Sequence, residues 1–237
     1  MPVDTSDTTA AARGERRRAR TRESLLDAAE SALLRHGYDA ARVDDIAAEA
    51  GVSVGSIYVH FGGKRGLHAA VVERVLELFA AYARRAEDPE LTPLQRVLAG
   101  GEAYLRFHLE HPGAFQFLAR HDDPGWDDET EARIRDRVGR LLDGFAGTIE
   151  EAVACGEARP VDARRLTHFL WGSWNGVIAL RRQPEGIRLS EREIAETLEL
   201  GRWLLREALA APGLRDENGE VGDRVPLPPP APPAPPG

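Results

Sequence analysis

At 237 residues and 42% hydrophobic content, the chain can build one large or two small domains around a sizeable core. No apolar run approaches the roughly 20 residues of a membrane span, and a single cysteine, Cys155, excludes an internal disulfide framework or a multi-thiolate metal site. The formal net charge of -8 argues against a uniformly basic nucleic-acid binder, but the charge is unevenly placed.

Residues 1–68 carry ten Lys/Arg and ten Asp/Glu, whereas the remainder carries 21 and 29. Within Arg13–Arg22 six arginines stand against one acid, Glu15. A basic arm set against an acidic body draws phosphates to one end of the molecule. Residues 1–12 are polar and small, and are expected to form a disordered arm. They lack the charged-then-apolar layout of a secretory leader, so a cytoplasmic location is the expectation.

A first helix is predicted from about Arg18 to His36, burying Leu25, Ala29, Ala32 and Leu33. The stretch Val43–Phe61 then reads V-D-D-I-A-A-E-A-G-V-S-V-G-S-I-Y-V-H-F, with the spacing of a helix-turn-helix. Val43, Ile46, Ala47 and Ala50 form one apolar stripe, and Gly51 stands where the chain must turn with positive φ. Ser53 occupies the N-cap of the next helix, its hydroxyl available to a free backbone N–H. Ile57 and Phe61 make a second stripe, and small Ala47 lets the two short helices cross closely. Such a motif holds its second helix out into a major groove.

A long helix is predicted from Lys64 to about Arg85. Thr92-Pro93-Leu94-Gln95 is a capping-box start for a helix reaching Glu110. His111-Pro112-Gly113 ends it, and Ala114–Arg120 makes a short helix before the acidic loop His121–Asp128. Helices are predicted over Glu129–Cys155, from Asp162 to about Arg182, and from the second capping box, Ser190-Glu191-Arg192-Glu193, to about Ala210. Pro212-Gly213 closes the folded part, and residues 214–237 end in a proline-rich tail expected to be extended and disordered. No alternating β-branched run suggests a sheet, so the fold is expected to be all-α with about nine helices.

The helix-turn-helix with its flanks, roughly Arg18–Val72, resembles the TetR family of transcriptional regulators. The resemblance rests on His36-Gly37-Tyr38, on the segment Ile46–Ser53, on Tyr58-Val59-His60-Phe61 and on Lys64. It implies a DNA-binding domain over residues 13–68, and a helical ligand-binding and dimerisation domain over residues 69–213. It departs from the family pattern at Arg42, where a Ser or Thr cap is usual, at Val54 and Val59, and at Gly62-Gly63 and Arg65.

Candidate DNA contacts are Arg42, Ser53, Val54, Gly55, Ser56, Tyr58, Val59, His60 and Lys64. Residues near the start of the recognition helix face base edges, and those on its flank face phosphates. Ser53, Val54, Gly55 and Ser56 are small and offer few bidentate hydrogen bonds, while Val54 or Val59 suits a thymine methyl. The resemblance implies phosphate contacts for Tyr58, His60 and Lys64, with His60 and Lys64 at the surface. Arg42 is placed to grip a phosphate across the groove.

In the body, Tyr104, Phe107 and His108 fall on one helical face, and Trp171, Trp174, Asn175 and Ile178 on another. With Phe115 and Trp126 they are the candidate lining of an apolar pocket with a few polar points, although an aromatic stripe at this spacing also serves as plain core. Gly172, Ser173 and Gly176 make a small-residue face on the helix from Asp162, and the resemblance puts the dimer interface on the last two long helices, here Asp162–Arg182 and Ser190–Ala210. The leading expectation is a homodimeric repressor that binds a palindromic duplex operator and is released by a small apolar or amphipathic effector. Two alternatives stand beside it: a DNA-binding protein controlled by a protein partner, and an all-α enzyme. The sequence has no HExxH, GxSxG or Gly-rich phosphate loop, and no catalytic, metal or cofactor site and no membrane partner is expected.

Overall fold

A computed structural model describes residues 5–114, 117, 125–219 and 221 of the chain. Among these, eight α-helices carry the regular structure. They are α1 (Thr5–Ala40), α2 (Val43–Glu49), α3 (Val54–Phe61), α4 (Lys64–Arg84), α5 (Pro93–Glu110), α6 (Asp128–Ala154), α7 (Ala163–Ala179) and α8 (Glu191–Leu209). Short 3-10 turns follow at Leu180–Arg182 and Pro212–Leu214. The all-α expectation holds; extended pairing among the described residues is limited to the isolated bridges Ala158–Ala210 and Arg215–Val221. The short helix expected over Ala114–Arg120 lies almost wholly outside the described residues.

The chain divides into two compact units, one of residues 1–78 and 111–138, the other of residues 79–110 and 139–237. The division falls inside α4, after Leu78, rather than at residue 68. In the first unit, Leu25, Leu26, Ala29 and Leu33 of α1 recur at helical spacing and meet Ile46, Ala47, Ile57, Leu67 and Val71 in one core. Arg74 of α4 reaches back to α1, donating to Asp27 at 2.6 Å and pairing with Glu30. Helix α1 starts at Thr5, well before the expected Arg18, so it includes much of the segment expected to be a disordered arm. The apolar stripe begins only at Leu25, but the Arg, Ala and Glu residues ahead of it are strong helix formers.

In the second unit the capping boxes at Thr92 and Ser190 form as expected, and Asp162 caps α7. The Thr92 N–H donates to Gln95 Oε1 at 2.9 Å, Asp162 accepts from the Arg165 N–H at 2.9 Å, and Ser190 and Glu193 complete a reciprocal box. Ile149, Ile194, Leu198 and Leu205 supply its buried aliphatic side chains. The described chain continues beyond Pro212, into the segment expected to be a tail. Arg215 donates to the Glu207 carboxylate at 2.8 Å and to the Gly219 carbonyl at 2.7 Å, and Val221 is buried. This mostly polar segment therefore docks through Arg215 together with the burial of Val221.

Gly66, in the first turn of α4, sets how closely α3 and α4 meet: a Cβ there would overlap the Phe61 carbonyl oxygen. Gly144 of α6 has open space around it. Gly66→Ala should therefore lower the melting temperature, because the backbone must yield, whereas Gly144→Ala should raise stability by roughly 1 kcal/mol through helix propensity. Equal melting temperatures for the two variants would show that α3 and α4 do not pack as described.

Candidate nucleic-acid interface

Helix α2 ends as its sequence demands. Gly51 has φ 68°, the Val52 N–H donates to the Ala47 carbonyl at 3.0 Å, and the Gly51 N–H donates to Ala48 at 3.1 Å. This is the paired closure of a Schellman turn, which satisfies carbonyls the helix would otherwise leave open. Ser53 sits at the N-cap of α3 as expected, but its side chain makes no backbone cap bond. Its hydroxyl instead pairs with the Ser56 hydroxyl at 3.2 Å. Arg42 precedes α2 in extended conformation, gives no side-chain cap, and leaves its guanidinium in solvent, 3.8 Å from Asp44.

Ile57 anchors α3, being fully buried in the core shared with α1 and α4. With that side fixed, the helix turns Tyr58 (58% exposed) and Val59 (80% exposed) outward. Tyr58 is thus a surface group and not core packing beneath the motif. Gly55 and Ser53 are exposed, while Val54, Ser56 and His60 are half-buried. The Tyr58 ring lies beside Gly63, where a Cβ would be 3.5 Å away.

Lys64 departs from the expected exposed position. It is half-buried, its ammonium 4.6 Å from the centre of the Tyr38 ring and donating to the Asp39 carbonyl at 3.2 Å. The Gly37-Tyr38 pair thereby shapes the site as well as ending the first helical run. Two contacts that sequence reasoning missed tie α1 to the motif. Arg35 donates to Glu49 of α2 at 2.6 Å and holds that carboxyl below its usual range, and the Arg22 guanidinium lies 5.1 Å from the centre of the Phe61 ring at the end of α3. Long basic side chains on a solvated helix give no periodic signal for either.

The aromatic residues expected to line a pocket do not form one set. Trp126 belongs to the first unit, where it stacks on His68 at 5.3 Å, with Tyr38 on another side of the imidazole. It borders a shallow cleft of about 250 Å³ with Arg65, Gly66, Gly125, Asp127 and Thr130. An indole in a polar loop takes the nearest flat partner, and the sequence does not identify His68 as that partner. Phe115 lies outside the described residues.

Tyr104, Phe107, His108, Trp174, Asn175 and Ile178 all belong to the second unit. The Tyr104 hydroxyl donates to Asn175 Oδ1 at 3.0 Å and its ring packs on Trp174 at 5.1 Å, while burial holds the phenol well above its ordinary pKa. Phe79 and Tyr82, at the end of α4, complete the cluster against Tyr104 and Phe107. Trp174 fills space left by Gly101, where a Cβ would lie 2.9 Å from its indole. Trp171 and Asn175 are half-buried, and Ile178 is buried. Among the described residues no group of three or more His, Cys, Asp or Glu could hold a metal, and no helix is long and apolar enough to cross a membrane.

An anchored second helix, a tight αL turn and an outward face of tyrosine and valine define a helix-turn-helix DNA-binding regulator. The comparisons agree. Residues 25–71 match the family described as bacterial regulatory proteins, tetR family, and residues 97–201 match the tetracyclin repressor-like C-terminal domain. The chain belongs to the TetR family of transcriptional regulators. It is 32% identical over 114 residues to the HTH-type transcriptional activator FasR of Mycolicibacterium smegmatis, a match covering 48% of this chain and only 52% of FasR. It is 25% identical over 169 residues to the HTH-type transcriptional regulator RutR of Escherichia coli K12, covering 68% of this chain and 76% of RutR. The crystal structure of a TetR family regulator from Agrobacterium tumefaciens shares the fold with a TM-score of 0.66 at 19% identity, covering 82% of this chain and all (100%) of that one.

His108 gives the second unit a pH signature. Burial, then the positive charge of Arg181, lowers its pKa from 6.5 to about 4, with Glu191 opposing in part. Between those values the unfolded chain binds more protons than the folded one, so stability is full above about pH 6.5 and falls as pH drops toward 4. His108→Gln should remove on the order of 3 kcal/mol of this acid sensitivity between pH 7 and 4. Urea denaturation at a series of pH values checks it; parallel curves for variant and wild type would refute it.

Proposed function

We propose that this regulator binds a palindromic duplex operator as a homodimer, represses transcription there, and is released by a small apolar or amphipathic effector. The observation that carries the DNA reading is the outward face of α3, with Tyr58 and Val59 displayed on a helix that Ile57 holds fast. In this reading Val59, Val54, Gly55, Ser53 and Ser56 approach base edges, and Tyr58, His60, Lys64 and Arg42 hold phosphates. Valine can touch a thymine methyl but cannot form a bidentate bond to guanine, so specificity would come from methyl contacts and DNA shape.

Dimerisation is supported by exposed apolar side chains on the last two helices: Phe169 on α7, and Leu200, Trp203 and Leu204 on α8. Gly172 and Gly176 of α7 are exposed, and a Cβ at either would meet nothing within 4 Å, which leaves room for a close helix approach. The effector reading rests on Tyr104, Phe107, His108, Trp171, Trp174, Asn175 and Ile178, an apolar group with hydroxyl, amide and imidazole points. Helix α4 offers a lever, since Lys64 at its start serves the reading head while Phe79 and Tyr82 near its end pack on Tyr104 and Phe107. An effector would act through its differential affinity for two settings of that helix. Trp174 closely fitted against Gly101 favours the second reading, control by a protein partner with no small molecule. The two separate on whether a small molecule that releases DNA also changes Trp171 and Trp174 fluorescence.

Selection of genomic fragments followed by footprinting should give paired half-sites roughly 34–36 Å apart or a multiple of that, occupied by two protomers. Lys64→Ala should weaken binding to all sequences alike and lower the salt slope by about one unit for each protomer. No preference for selected over scrambled duplex would overturn the function; an unchanged salt slope would remove Lys64 from the phosphate contacts.

A further inference from the structure

Lys64 is the one lysine of a chain otherwise rich in arginine. Its ammonium is held in place before any phosphate arrives, 4.6 Å from the centre of the Tyr38 ring and donating to the Asp39 carbonyl at 3.2 Å. A lysine stem is flexible, so the cation is only as well placed as the ring it rests on. Tyr38 is half-buried and directly follows Gly37, whose φ of 77° breaks the helical run. Support for its ring comes from α4. His68 stands one turn after Lys64 on the same face and meets Tyr38 with ring centres 5.0 Å apart and planes at 61°.

His68 is 8% exposed. Its neighbours on α4, Leu67 and Val71, belong to the aliphatic core, where a leucine at position 68 would bury more apolar surface than an imidazole. What the imidazole adds is a flat ring. Two aromatics from the segment after α5 close around it: Phe117 at 6.2 Å and Trp126 at 5.3 Å, the indole inclined by only 28°. Trp126 is in turn held in register with α4. The next residue, Asp127, accepts from the Thr130 N–H at 2.7 Å at the start of α6. The first half of α6 is tied to α4 by Arg133 donating to Glu73 at 2.6 Å and by Arg137 pairing with Glu77. Trp126, His68, Tyr38 and Lys64 thus form one line of contacts from the loop before α6 to the ammonium, all inside the first unit.

We infer that Trp126 is a positioning residue for DNA binding: stacked on His68, it sets the Tyr38 ring and, through that ring, the Lys64 ammonium. The inference rests on the phosphate role proposed for Lys64 and adds a residue far from the helix-turn-helix in sequence. Without the indole, His68 and Tyr38 gain freedom, and the lysine must be ordered at the moment of binding. That ordering cost falls equally on every DNA sequence, because a phosphate carries no base information.

The test begins with reductive methylation of the full chain by isotope-labelled formaldehyde, which keeps the amine charged and labels Lys64 and the amino terminus alone. The Tyr38 ring should shift the Lys64 methyl resonance away from that of free dimethyl-lysine. Trp126→Leu keeps apolar bulk but offers no flat face, and should move the resonance toward the free value; Trp126→Phe should restore it. In DNA titrations below the melting transition of each variant, Trp126→Leu should weaken binding about two- to fivefold for each protomer, the range of an exposed cation–π contact. The loss should be the same on selected and scrambled duplex, and Trp126→Phe should bind as the wild type does. In a Lys64→Ala background Trp126→Leu should cost nothing further. His68→Leu repeats the test from the α4 side and should give the same loss, again absent with Lys64→Ala. An unmoved Lys64 resonance in both Leu variants, a loss that persists in the Lys64→Ala background, or Trp126→Phe binding as weakly as Trp126→Leu would overturn the inference. Wild-type affinity in Lys64→Ala alone would instead overturn the phosphate reading of Lys64, and this inference with it.

Discussion

The arrangement depends on the burial of Ile57. One side chain on an eight-residue helix, held between α1 and α4, decides which way α3 faces. A helix this short cannot hold its own conformation in water, so tertiary packing must supply its stability and its orientation. The Gly51 turn fixes where α3 begins, and the contact of Gly66 with the Phe61 carbonyl fixes how closely α4 follows. Once these are set, Tyr58 and Val59 have no apolar partner to turn toward and remain in solvent. An exposed valine beside an exposed tyrosine makes sense on a surface that another molecule covers.

Charge is distributed to suit that surface. The chain is acidic overall, and several of its carboxylates hold helices together: Glu30 and Asp27 on Arg74, Glu49 on Arg35, Glu73 on Arg133. An acidic body also disfavours wrong orientations on DNA, so net charge and DNA binding do not conflict. Lys64 refines this picture. Its cation is held against Tyr38 and the Asp39 carbonyl in advance, which trades freedom for placement.

Much of the fold was legible in the sequence because its signals are local. The αL turn at Gly51 and the boxes at Thr92 and Ser190 each follow from backbone groups that need a partner within a few residues. Where the reading failed, the cause was a partner distant in sequence or a pattern without apolar period. Trp126 was grouped with the other aromatics by type, but His68 is its neighbour. The start of α1 was missed because an arginine-rich helix has no buried face to announce it. The contacts of residues 215–219 have no local signal, because they hang on Arg215 reaching Glu207. Ser53 holds the N-cap position, but its hydroxyl bonds Ser56 and caps no N–H, since a hydroxyl three residues on competes with the N–H groups beside it.

The central claim is that the outward face of α3 meets DNA. A photo-crosslinking amino acid placed at Val59, with a second variant carrying it at Phe169 on α7, tests this on a selected genomic fragment. Irradiation should join position 59 to bases inside the protected half-site and should give no DNA adduct from position 169. Full occupancy of the fragment with no adduct from position 59 would contradict the account.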